Sequence, residues 1–146
     1  MDRAGEIRPQ LSEGIDRKSL SVLQQRFMGI NQRRLQRVMH ALPPRQYRVL
    51  QLIPLLLDVN HPLLPGYVSR QTPHGLSHYE PDSETLLAAQ ALTRSFTYRR
   101  APAGARRDIH ALYLMGSGGT IAQSDQSDLD IWVCHAPDPT DPRSYA

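Results

Sequence analysis

Cysteine is nearly absent. Cys134 is the only one in 146 residues, which excludes a disulfide framework or a cysteine-rich zinc site within the chain and fits a reducing compartment. No apolar run is long enough to span a bilayer, and the N-terminal MDRAGEIRPQ lacks the apolar stretch of a secretory signal. A cytoplasmic protein with no membrane span is expected. Aromatic residues amount to 6%, and none is interleaved with the arginines to offer base stacking. Net charge is only +3 but uneven: residues 1–50 carry ten basic and four acidic side chains, residues 108–146 six aspartates and one arginine. Such a modest basic excess reads as the solvated face of an arginine-rich helix in preference to an arm for nucleic acid. No nucleic-acid partner is expected.

Proline, by contrast, is plentiful. Twelve prolines in a length that suits one compact domain imply long irregular connections. Residues 1–18 show no apolar period and read as a flexible N-terminus. Ser19 suits an N-cap, and Leu20, Leu23, Phe27 and Ile30 then recur at helical spacing. Leu35, Val38, Met39 and Leu42 continue a shifted stripe until Pro43-Pro44 stops the helix. Arg45–Asp58 reads as a second helix, apolar on most sides, which Pro54 should kink or divide. Asn60–Pro81, with its four prolines, reads as loop. Asp82 should cap a third helix reaching about Phe96, and Arg99–Arg107 reads as an exposed linker. Ile109–Met115 and Leu129–Val133 look like strands. Trp132 and Cys134 are read as core, and His135 as a surface or capping residue. Two strands do not make a stable sheet, so an α+β fold that is incomplete at the C-terminus is expected.

The chemistry is concentrated between Gly116 and Asp130. Gly116-Ser117-Gly118-Gly119 follows the first strand; such glycines let a backbone approach a phosphate, and Thr120–Ser124 is expected to open a short helix whose N–H groups suit an anion. No lysine follows, so this is not a Walker A loop. Asp128 and Asp130 are separated by one residue, and in a strand they would project to the same face. Paired carboxylates repel unless a cation lies between them, and Mg²⁺ (or Mn²⁺) binds one or two carboxylates together with substrate phosphates. A phosphate turn beside a metal-binding acid pair describes a nucleoside-triphosphate site. An ordinary polar turn would explain one of these acids but not the second at the mouth of an apolar strand.

Gly116-Ser117, followed eleven residues later by Asp128-Leu129-Asp130, resembles the GS…DxD signature of the polymerase-β-like nucleotidyltransferases. More narrowly, MGSGGTIAQSDQSDLDIWVCH, with HPLLPGY (His61–Tyr67) and INQRR (Ile30–Arg34) upstream, resembles the N-terminal catalytic domain of bacterial class I adenylate cyclases. That resemblance implies a helical N-terminal region over 19–100 and the start of a nucleotidyltransferase core, with its mixed sheet, over 101–146. It implies conversion of ATP to cyclic AMP and pyrophosphate, by attack of the ribose 3′-hydroxyl on the α-phosphorus. Gly116, Ser117, Gly118 and Gly119 would hold the triphosphate, while Asp128 and Asp130 would be catalytic and ligate Mg²⁺. Gly118-Gly119 stand where that family usually has hydroxyl residues, leaving backbone N–H groups to make those contacts. The family's third carboxylate has no counterpart after Arg143, so a truncated piece lacking its C-terminal part, with little activity alone, is expected. The signature also fits another nucleotidyltransferase, or a non-catalytic remnant or interaction module.

Overall fold

The structure is a computed structural model that describes residues 16–124 and 127–136. Three helices precede two strands: α1 (Arg17–Ala41), α2 (Pro44–Val59), α3 (Ser83–Leu92), β1 (Ile109–Met115) and β2 (Asp130–His135). Residues 1–15 of the stretch expected to be flexible lie outside the described residues. Asp16, not Ser19, caps α1, its carboxylate accepting the Ser19 N–H at 2.6 Å. Pro43-Pro44 ends α1 as expected, and Pro44, whose missing N–H costs nothing at a first turn, opens α2. Pro54 does not divide α2. Buried Leu50, Leu52 and Leu55 around it hold the segment helical despite the lost donor. No helix among the described residues is long and apolar enough to cross a membrane.

The core lies between α2 and α3, where Leu52, Leu55, Leu64, Ala88, Ala89 and Phe96 are buried together. The His61 ring meets Phe96 edge-on, with centroids 5.3 Å apart. HPLLPGY is thus a packing segment, its Leu64 filling the space that the helices leave. Asp82 caps α3 as expected, accepting the Thr85 N–H at 2.7 Å. The helix stops at Leu92, short of Phe96, because Thr93 turns extended and its hydroxyl donates to the Leu63 carbonyl at 2.8 Å.

The stretch read as loop contributes to the sheet. Leu76 bridges Ile109 in parallel: the Ile109 N–H donates to Gly75 at 3.0 Å and the Ser77 N–H to Ile109 at 2.9 Å. Nor is the linker uniformly exposed. Arg107 donates to the Leu76 carbonyl at 2.7 Å and reaches Asp58 at 3.4 Å, while Asp58 accepts the Leu76 N–H at 2.8 Å. Those bonds pin the start of β1 to the end of α2, and they fix where β1 delivers its C-terminal turn.

β1 and β2 pair antiparallel, with Met115 opposite Asp130, Tyr113 opposite Trp132, and a register irregularity between Ile109 and Ala111. β2 begins at Asp130 rather than Leu129. Trp132 and Cys134, expected in the core, are exposed, Trp132 by 62%. The reason is topological: the sheet has two strands among the described residues, so that part of it has no cover.

Candidate functional site

β1 carries the chain to Met115, and the backbone then turns back on itself through Gly116-Ser117-Gly118-Gly119. Gly116 and Gly119 lie at φ 72° and 70°, in the left-handed region that L side chains rarely enter. The short helix expected from Thr120 does not form; the segment is a run of turns. The Thr120 N–H donates to Ser117 at 3.0 Å and the Gln123 N–H to Thr120 at 3.2 Å. Two side chains compete with a helical ladder: the Thr120 hydroxyl donates to the Ser117 carbonyl at 2.6 Å, and the Gln123 side-chain carbonyl accepts the Gly119 N–H at 2.7 Å. Any anion held here is therefore held by the turn itself, not by a helix terminus.

The turn rests on α1. Arg34 donates from Nε to the Gly118 carbonyl at 2.6 Å and from Nη2 to the Gly116 carbonyl. One helical turn later, Arg37 Nε donates to the Gly119 carbonyl at 2.9 Å. Close approach requires glycine: a Cβ on Gly119 would fall on the Arg34 carbonyl oxygen and lie 2.7 Å from Arg34 Cγ. Val38, fully buried, fills the space beneath Gly118 and Gly119. Read from sequence, these arginines belong to a solvated face. Arg34 and Arg37 are instead the supports of the glycine turn, a role hidden by more than eighty residues of separation.

Asp130, first in β2, stands beside the other end of the turn. A Cβ on Gly116 would lie 2.7 Å from Asp130 Oδ2, so the missing side chain is what lets the carboxylate lie over the turn. Asp128 lies two residues ahead of β2 rather than in it, exposed and without a hydrogen bond among the described residues. The expected in-strand pair is thus only partly realised: the sheet register places Asp130, and the approach to the strand carries Asp128. Ahead of them, the Ser124 N–H donates to the Ser127 hydroxyl at 2.8 Å, closing the loop that leads in.

Both acids offer exposed oxygen donors, the ligand type of a hard divalent cation, next to a turn whose Ser117 and Gly118 N–H groups have no hydrogen-bond partner among the described residues. Among the described residues no third His, Cys, Asp or Glu completes a cluster with them. A cleft of about 510 Å³ opens on the other flank of the turn, lined by Arg37, Leu42, Pro43, Gln46, Thr120 and Ile121 among others. Neither acid lines it, so the carboxylates and the cleft are separate features of the turn.

Residues 19–145 match the family model described as the adenylate cyclase NT domain. The chain is 41% identical over 118 residues to an adenylate cyclase of Salmonella typhimurium and 40% identical over 118 residues to one of Escherichia coli K12. It is 38% identical over 117 residues to one of Yersinia pestis. Each alignment covers 80% of this chain, which spans 14% of the length of the relative. No solved structure matches it.

Proposed function

Since the chain belongs to the adenylate cyclase N-terminal domain family, we propose that it carries the nucleotide-binding part of a cyclase site that converts ATP to cyclic AMP and pyrophosphate. The observation that supports this most is the Asp130 carboxylate lying over Gly116, which puts an acid and the glycine turn side by side. In this reading Gly116–Gly119 hold the triphosphate through backbone N–H groups and the Ser117 hydroxyl. Asp128 and Asp130 hold Mg²⁺ (or Mn²⁺), and Asp130 stands next to the bound phosphates. The metal, when bound, neutralises charge on the phosphates during in-line displacement at phosphorus. The protein's own part is placement: β1 and α1 fix the turn, the sheet register fixes Asp130, and the ribose 3′-hydroxyl is left free to reach the α-phosphorus. The polymerase-β-like nucleotidyltransferase fold is proposed on the same residues.

Residues 19–135 placed in the matching segment of the Escherichia coli relative test the assignment. The chimaera should form cyclic AMP, and Asp128→Asn or Asp130→Asn should lower its rate by about a hundredfold or more, since a misplaced reacting group costs that much. Near-normal turnover by either variant at saturating Mg²⁺ sinks the reading. The 146 residues alone should turn over little ATP, because no third acid joins Asp128 and Asp130 among the described residues, and two place the metal and the 3′-hydroxyl poorly.

A further inference from the structure

We propose that Arg34 is a positioning residue of this site: by holding the Gly116 and Gly118 carbonyls on the α1 side, it turns the Ser117 backbone N–H outward to receive the triphosphate. The inference rests on reading the turn as a phosphate site, and it gives the INQRR motif a function.

A trans peptide is planar, with its C=O and N–H pointing in opposite directions. The Gly116 carbonyl and the Ser117 N–H belong to one such plane, so a carbonyl drawn towards Arg34 forces the Ser117 N–H to point away from α1. The next held carbonyl, Gly118, directs the Gly119 N–H away likewise, and there it meets the Gln123 side chain. Ser117 itself turns its carbonyl to the Thr120 N–H and hydroxyl. The Ser117 and Gly118 N–H groups and the Ser117 hydroxyl have no hydrogen-bond partner among the described residues. They are the turn's spare donors, and Arg34 fixes the direction of the first.

Arginine is needed because the task is bidentate. A guanidinium presents donors in a rigid fork that reaches two carbonyls at once, whereas an ammonium is a point charge on a flexible stem. Its positive charge also stands behind a turn that lacks a lysine of its own, which favours an anion in front. Arg33, next to it in sequence, is exposed and bonds to none of the turn carbonyls. It serves as an internal control with the same charge.

Calorimetric titration of the 146-residue chain with inorganic tripolyphosphate tests the proposal. Arg34→Lys, which keeps the charge and loses the fork, should bind about tenfold more weakly or worse, the loss expected for a charge-assisted hydrogen bond. Arg33→Lys should bind like the unaltered chain. A purely structural role would appear as a lowered thermal midpoint with affinity kept, so Arg34→Lys affinity within about twofold of the unaltered chain overturns the proposal. A second measurement needs no variant: tripolyphosphate should shift the Ser117 and Gly118 amide resonances more than those elsewhere in the chain, and unmoved amides would overturn it too. Absence of binding by the unaltered chain removes the anion site and this inference together. If the turn binds tripolyphosphate through Arg34 but the Asp130→Asn chimaera still makes cyclic AMP, the catalytic reading fails and the positioning role stands.

Discussion

Asp130 and Gly116 are joined by an absence: a Cβ on the glycine would come within 2.7 Å of the aspartate's Oδ2. Gly116 also lies at φ 72°, so two independent constraints, backbone and contact, demand glycine at this position. Gly116→Ala should destabilise the fold by about 1–2 kcal/mol from the left-handed backbone alone. Because it displaces Asp130 as well, Mg·ATP affinity should fall, and Gly116→Val should be worse in both respects. Denaturant melts and calorimetry on the same samples check this, and unchanged affinity would show that the glycine serves packing only.

The remaining glycines of the turn are not equivalent. A Cβ on Gly118 would make ordinary contacts of 3.4 Å with Leu114 and Val38, whereas one on Gly119 would collide with the backbone of Arg34 at positive φ. Gly118→Ala should therefore be nearly neutral in stability, while Gly119→Ala should lift the turn off α1 and cost more than Gly116→Ala. Equal thermal midpoints for the two alanine variants would contradict the packing described for α1.

Acid should loosen α3 through its cap. The Thr85 backbone N–H, followed by its side chain, holds the Asp82 carboxyl below its ordinary range. A carboxylate whose folded pKa is depressed stabilises the fold above its unfolded value, near 3.9, and that contribution is lost as pH falls through the folded value. Asp82→Ala should cost about 1 kcal/mol at neutral pH, and less on acidification below about pH 4. Urea melts at pH 7 and pH 3 measure both numbers.

Local signals made the elements legible. The Pro43-Pro44 pair ends α1, Asp82 announces the start of α3, and the strand-like run Ile109–Met115 marks β1 to the residue. The glycine turn and the acids after it were equally visible, since their chemistry is written in adjacent residues. What no local pattern carries is the pairing of distant parts. Arg34 and Gly118 lie more than eighty residues apart, and Leu76 pairs with Ile109 from within a proline-rich stretch. Trp132 and Cys134 are exposed against expectation for a related reason: an apolar strand implies cover, but composition does not say which element supplies it.

That uncovered sheet should show in solution. Trp132, Val133 and Tyr113 are exposed, and β2 has a strand on one edge only among the described residues. Open edges pair with other chains. The 146-residue chain should self-associate as its concentration rises, and Val133→Lys should suppress this without changing the far-ultraviolet dichroism. A monomer at all concentrations by sedimentation velocity would show that the edge is already protected.

Calorimetric titration of ATP into the 146-residue chain, with and without Mg²⁺, bears most directly on the turn and its acids as one nucleotide site. Mg²⁺ should tighten ATP binding about tenfold or more, and Asp130→Asn should abolish that gain while leaving the metal-free affinity intact. ATP affinity that ignores Mg²⁺, or a metal effect as large in Asp130→Asn as in the unaltered chain, would contradict the account.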